Sequence, residues 1–277
     1  MKAEIIGLLS ETSMHPGSES VTGVVDLPIA REASTNYPVI TGSSLKGAFR
    51  ENFEHRGNED ASAKIFGEKD RAGEVAITDG RIILLPVRSL TGHYKWVTCP
   101  YILDRFQRDL KLAGLIKDGF PIRKIEQGKA LCHTVEEEIL LEEIVFIPYK
   151  NDDLINKLIT IIKPLLFHIS LRDRLLDQLI IINDDEFAYF AKYGVEVRAR
   201  NKLKKDIKQS ENLWYEECLP SDTLFYSLCI NRFGNSASLK MLKEALLEDP
   251  YIQIGGNETV GQGWCILNYW EGDAENE

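Results

Sequence analysis

Thr41-Gly42-Ser43-Ser44-Leu45-Lys46-Gly47-Ala48-Phe49-Arg50 turns an extended chain into a helix. Tyr37-Pro38-Val39-Ile40 leads into it as a short apolar strand. Gly42 permits a tight turn, and Ser43 or Ser44 can cap the first free N–H groups. Leu45, Ala48, Phe49 and Phe53 recur at helical spacing and form a buried stripe, so a helix is expected over 43–54. Lys46 and Arg50, one turn apart, project together from another face. Small residues, hydroxyls and two cations at a helix N-terminus suit phosphate. The same residues also suit an ordinary capped surface helix with solvated cations.

Working outward, Ile252-Gln253-Ile254-Gly255-Gly256-Asn257-Glu258-Thr259-Val260-Gly261-Gln262-Gly263-Trp264 sets four glycines within nine residues. Such a loop lets backbone N–H groups approach a ligand and tolerates positive φ. It lacks the Gly-Lys-Ser/Thr triplet of a nucleotide P-loop and is no dinucleotide fingerprint. Towards the N-terminus, His15-Pro16-Gly17-Ser18 precedes Gly23-Val24-Val25-Asp26-Leu27-Pro28-Ile29-Ala30-Arg31.

Strands are expected at Val24 to Leu27, Val75 to Thr78, Ile82 to Leu85, Thr223 to Ile230 and Trp264 to Trp270, from their β-branched and alternating residues. Helices are expected at 102–113 and 238–248, the latter stopped by Pro250, and on both sides of Pro164 between Asp152 and Asn183. The pattern is α+β.

The 277 residues, 44% hydrophobic, can bury one large core or two small ones. No apolar run reaches membrane-spanning length, and Met1-Lys2-Ala3-Glu4 does not open a signal peptide, so a cytoplasmic protein is expected. Five scattered cysteines read as reduced thiols, and Cys132-His133 lacks further ligands at zinc spacing. Net charge is −10, a field that repels nucleic acid. Locally the sign reverses: Lys192 to Lys208 carries seven cations, among them Arg198, Arg200, Lys204 and Lys205, against Glu196 and Asp206. Any grip on RNA must therefore use a local groove.

Together these segments resemble the RAMP superfamily of CRISPR proteins, and within it the repeated backbone subunit of the type III-B (Cmr) effector complex. The resemblance also rests on Ile65-Phe66-Gly67, Leu84-Leu85-Pro86-Val87-Arg88-Ser89 and Leu213-Trp214-Tyr215-Glu216-Glu217 before Leu219-Pro220. It runs in family order from residue 15 to residue 264. It implies a modified ferredoxin-like (RRM-like) core over 1–270, with a helical insertion at about 100–190 and a β-hairpin thumb at about 195–219. An acidic tail follows at 271–277.

The resemblance matches Asp26 to the residue that cleaves target RNA. A carboxylate there could hold Mg²⁺ against the scissile phosphate or help deprotonate the neighbouring 2′-hydroxyl. It further implies RNA binding by His15, Arg31, Ser43, Ser44, Lys46, Arg50, Gly255 and Gly256. Arg198, Arg200, Lys204 and Lys205 would join them on the thumb, whose tip wedges between bases. Arg31 could instead pair with Glu32, and His15 could stabilise its turn. The implied partners are a guide CRISPR RNA, a single-stranded target RNA, further copies of the chain, and the large, small and other RAMP subunits. Three other readings stand beside an RNA-guided endoribonuclease: an inactive RNA-binding scaffold, a guide-processing nuclease, and a metabolic phosphate-binding enzyme. No histidine pair near His15 supports processing, and no nucleotide motif supports the last.

Overall fold

The computed structural model describes residues 2–18, 25–90, 92–134, 138–204, 206–207, 209–233 and 237–270. Expectations that fall on Val24, Lys205, Lys208 and the tail 271–277 lie outside the described residues.

The chain opens with strand β1 (Ala3–Ser10), apolar and buried at almost every position, as a strand covered on both faces must be. β2 (Val39–Ile40), helices α1 (Gly42–His55) and α2 (Glu59–Phe66), and a tight hairpin of β3 (Gly67–Glu68) and β4 (Arg71–Ala72) follow. β5 (Val75–Ile77) and β6 (Gly80–Arg88) complete the first part. In α1 the stripe Leu45, Phe49, Phe53 is buried, and the Phe53 ring meets Phe66 edge-on at 5.7 Å. Each such phenylalanine contributes roughly 2–3 kcal/mol by leaving water.

β7 (Tyr94–Thr98) and α3 (Pro100–Leu112) come next, Pro100 opening the helix where its missing N–H costs nothing. Then come β8 (Lys129–Cys132), β9 (Ile139–Leu141), β10 (Ile144–Lys150), α4 (Asp152–Ile162), α5 (Ile169–Gln178), β11 (Leu179–Ile181) and α6 (Asp184–Tyr193). The last part holds β12 (Glu196–Leu203), β13 (Ser210–Cys218), β14 (Leu224–Asn231), α7 (Ala237–Glu248), β15 (Tyr251–Gln253) and β16 (Trp264–Tyr269).

One large mixed sheet runs β15-β16-β1-β14-β6-β7-β11-β8-β10-β9, with β2 added on β6 and β5 on β14. β1 lies antiparallel between β14 and β16, and β14 is antiparallel to β6. The pairs β7–β11 and β8–β10 are parallel. β6 is shared: residues 81–84 pair with β14 and residues 85–88 with β7. The segment after α4 docks on β1 at Gly7, where an added Cβ would lie 2.3 Å from the Leu165 carbonyl oxygen. β12 and β13 form a separate two-stranded sheet that projects from this body.

The expected helices at 43–54, 102–113 and 238–248 are present, as are four of the five expected strands. Three expectations need correction. Val25 and Asp26 lie in a bend, and only Leu27 makes a bridge, to Glu216. The helical reading of Asp152 to Asn183 ends at Gln178, because Leu179-Ile180-Ile181 is a buried strand parallel to β7. The region 100–190 is not helical throughout: its four strands extend the sheet. Apolar runs of three or four residues fit helix and strand periods equally, so neighbours decide them.

Candidate nucleic-acid interface and cleavage site

Segment 27–31 crosses the base of the β12–β13 hairpin. The Leu27 N–H donates to the Tyr215 carbonyl (3.1 Å), and Leu27 in turn accepts from the Glu217 N–H (3.0 Å). This lays Asp26 on β13, where its Oδ2 accepts the Tyr215 N–H at 2.8 Å. The side chain is exposed. One oxygen is thus fixed by backbone, on a side chain open to solvent.

Glu216 and Glu217 hold this base together. Neighbours on a strand point to opposite faces, so two adjacent buried glutamates must serve two different elements. Glu217, 9% exposed, accepts the Ile29 N–H at 3.0 Å and pairs with Arg31 at 3.4 Å. Glu216, 2% exposed, pairs with Arg200 at 3.0 Å and accepts from the Asn257 amide in the glycine loop. Buried polar groups need hydrogen-bond partners, and both carboxylates have them.

Three of the cations expected on RNA, Arg31, Arg198 and Arg200, are committed here. Arg31 also donates to the carbonyls of Asn36 (3.1 Å) and Ala191 (2.7 Å), while Glu32 pairs with Arg105 instead. Arg200 reaches Gln262, and Arg198 reaches Ser13 and Glu196. Arg198 accordingly holds the Glu196 carboxyl below its ordinary range. Lys204 is exposed near the hairpin tip, flanked by the exposed Leu203 and Ile207, and Lys205 lies outside the described residues. Leu213 and Tyr215 are exposed too, so this hairpin does not return its large side chains to the core.

His15 is only 7% exposed. Its Nδ1 lies 2.7 Å from the Glu217 carbonyl, which can only accept, so Nδ1 carries the proton. The backbone carbonyl of His15 takes the Gly256 N–H at 3.0 Å. Gly255 has φ +89°, and a Cβ there would sit 2.4 Å from that same carbonyl oxygen. The glycine loop is therefore built to close on residue 15, and the Gly256 amide is already used.

At α1 the cap is Thr41, whose Oγ1 accepts the Ser44 N–H and meets the hydroxyls of Ser43 and Ser44. The cap thus lies two or three residues before the expected Ser43 or Ser44. The Gly42 N–H goes to Asp79 at 2.7 Å. Lys46 is exposed with no ion pair among the described residues. Arg50 differs: it pairs with Glu54 (2.7 Å) and donates to the Gly67 carbonyl (3.2 Å). The Ser62 hydroxyl, then Arg50, keep the Glu54 carboxyl below its usual range.

The structure thus gathers Asp26, His15, Arg31, Arg198, Arg200, Gly255 and Gly256 at the hairpin base, and sets Ser43, Ser44, Lys46 and Arg50 apart on α1. Sequence reasoning gave no role to Glu216, Glu217, Asn257 or Asp79. Two adjacent glutamates inside a strand pattern were the available signal for the first pair.

The site's residues suit a divalent cation poorly. Among the described residues no group of three histidine, cysteine, aspartate or glutamate side chains could hold a metal. Asp26 offers one free oxygen, and the nearby glutamates are engaged.

Comparison with known proteins gives the chain a family. The RAMP superfamily profile matches residues 8–266. The CRISPR system Cmr endoribonuclease Cmr4 of Pyrococcus furiosus is 38% identical over 98% of this chain and 97% of its own length. The CRISPR system CMR subunit Cmr4 of Saccharolobus solfataricus is 24% identical over 93% of each. Oligomeric Cmr4 from Pyrococcus furiosus superposes with a TM-score of 0.80 at 35% identity, over 97% of this chain and 98% of that one. A chain of the type III-B Cmr-beta complex bound to cognate target RNA shares the fold, with a TM-score of 0.77 at 21% identity over 97% of each chain. A profile match across nearly the whole chain, together with a relative this similar over its full length, shows that the chain belongs to the RAMP superfamily.

Proposed function

We propose that this chain is the repeated, guide-RNA-binding subunit of a type III-B CRISPR effector complex and cuts complementary target RNA, in the cytoplasm, in antiviral defence. The likeness to the Cmr4 endoribonuclease over nearly all of both chains supports the activity. The observation that carries the chemistry is Asp26: an exposed carboxylate, fixed through one oxygen by the Tyr215 N–H, at the root of a projecting basic hairpin. Its partners are a guide CRISPR RNA, the target, further copies of the chain, and the large, small and other RAMP subunits. No helix among the described residues is long and apolar enough to cross a membrane.

The core is read as ferredoxin-like over β1-α1-β6-β14-α7-β16, supported by the antiparallel order β16-β1-β14-β6. The β12–β13 hairpin is read as the thumb. Its exposed Leu203 and Ile207 supply bulk to unstack a base, and Lys204 a charge for phosphate. Unstacking frees the target backbone to reach in-line geometry.

The free oxygen of Asp26 then accepts the proton of the 2′-hydroxyl beside the scissile phosphate. The 2′-oxygen bonds to phosphorus, the bond from phosphorus to the 5′-oxygen breaks, and water protonates the departing oxygen. Mg²⁺ remains a proposal of a looser kind: with one carboxylate oxygen to offer, the protein would share the ion with RNA and water. Sequence specificity comes from guide–target pairing, while the protein reads backbone and shape.

Asp26→Asn in the assembled complex tests this reading. Cleavage of complementary RNA should fall at least 100-fold, on the order expected for loss of a general base, with guide and target still bound. Undiminished cleavage would remove Asp26 from the chemistry.

A further inference from the structure

A second charged feature lies away from Asp26. A cleft of about 550 Å³ opens beside α1, lined by Lys46, Arg50, Lys69, Arg71 and Arg232 against one carboxylate, Glu68. Asp70 sits at the turn of the β3–β4 hairpin. In a chain of net charge −10, five cations to one lining acid is a local reversal of sign. Two of the five are braces: Arg50 donates to the Gly67 carbonyl and Arg232 to the Gly73 carbonyl, at 3.2 and 2.9 Å. Lys46, Lys69 and Arg71 are exposed and have no ion pair among the described residues.

The platform is rigid. Gly67, at φ +89°, would place a Cβ 2.6 Å from the Gly73 nitrogen, and Gly73 would place one 2.4 Å from the Ile65 carbonyl oxygen. The β3–β4 hairpin therefore sits as close to the end of α2 as backbone allows, gripped by Arg50 and Arg232 from two sides. Cations on a preformed surface lose less entropy on binding than cations on a loose loop. The cleft also reaches the start of α1, since Lys46 and Ile77 line it and the Ile77 carbonyl packs on Gly42.

We infer that this cleft is a phosphodiester-binding site, in which Lys69 and Arg71 carry the guide RNA backbone onward from Lys46 and the N-terminus of α1. The inference rests on the guide-binding reading above and adds residues to it. The charge favours a polyanion. The lining argues against a protein partner, because none of it is an exposed large apolar side chain, and Phe66 and Val75 are buried. A protein interface needs a desolvated apolar centre, whereas phosphate needs only spaced cations.

The test uses the full-length protein, a fluorescent single-stranded RNA of mixed sequence, and binding titrations across NaCl concentrations. Each phosphate contact contributes about 0.7 to the log–log salt slope for single strands. Lys69→Ala with Arg71→Ala should therefore flatten the slope by about 1.4 and weaken binding about 25-fold near 0.1 M salt. Lys69→Arg with Arg71→Lys, which keeps both charges, should bind as the parent does. Both side chains are exposed, so an unchanged melting temperature should accompany the loss.

An unchanged slope and affinity in the alanine variant overturns the inference and leaves the guide-binding reading intact. So does a variant that binds RNA normally but loses self-association in sedimentation, which would make the cleft a protein contact. If the parent itself binds no RNA with measurable salt dependence, both readings fall together.

Discussion

Asp26 depends on a hydrogen bond from a residue 189 positions away, and that is why sequence alone could name it but not place it. The resemblance singled out its motif. Nothing local indicated that the Tyr215 N–H fixes one oxygen, or that Glu217 anchors the segment behind it. Glu217 accepts from Ile29 and faces the Arg31 guanidinium, so Glu217→Ala strands a buried donor and removes the carboxylate partner of the half-buried Arg31. The expected cost is about 3 kcal/mol, read as a lower urea midpoint at unchanged m-value. A cost below about 0.5 kcal/mol would mean that the hairpin base is held elsewhere. Two glycines should separate in the same assay. Gly255→Ala meets both positive φ and a carbonyl at 2.4 Å, and should cost more than about 1 kcal/mol. Gly256→Ala meets the His15 ring at an ordinary 3.5 Å and should stay within about 0.5 kcal/mol.

Among elements, helices with a strong apolar stripe were legible, and short strands were not. α1, α3 and α7 follow from their spacing, whereas β8, β9 and β11 are three or four residues long and owe their form to pairing. The hairpin's cations were legible as a cluster, but their division of labour was not. Arg198 and Arg200 near its base turn inward, while Lys204 near its tip does not. Replacing residues 202–208 with a short Gly-Ser turn should leave the melting temperature within a few degrees, because none of the tip's described residues belongs to the core. Target cleavage should nevertheless be suppressed, and nucleotide displacement lost to base-fluorescence probes. Asp26→Asn should suppress cleavage with displacement kept. Regular cutting by the trimmed complex would sever the proposed link between unstacking and chemistry. On α1, Lys46→Ala should flatten the salt dependence of RNA binding with little effect on stability. Arg50→Ala should lower stability as well, since Arg50 ties α1 to the β3–β4 hairpin.

For the whole molecule, composition told apart what the protein could not be and said little about its shape. The five cysteines are buried, and no disulfide joins them. Burial pushes the Cys229 and Cys265 thiols from an ordinary 9.0 up to about 12. A raised folded pKa means that the neutral thiols favour the folded state below pH 9, and that this contribution fades as pH climbs from 9 towards 12. Native protein at pH 8 should therefore resist a thiol reagent that modifies all five cysteines once urea is added. Rapid native labelling of Cys229 or Cys265 would contradict the packing around β14 and β16. The sheet has a mechanical consequence. Because β6 pairs with β14 along one stretch and with β7 along the next, the two sides of the sheet cannot hinge there without breaking a strand in its middle. Copies of such a solid body, laid end to end, would behave as the graduations of a ruler. The spacing of cuts along a target would then be a property of the protein's stiffness, indifferent to the letters of the RNA being measured.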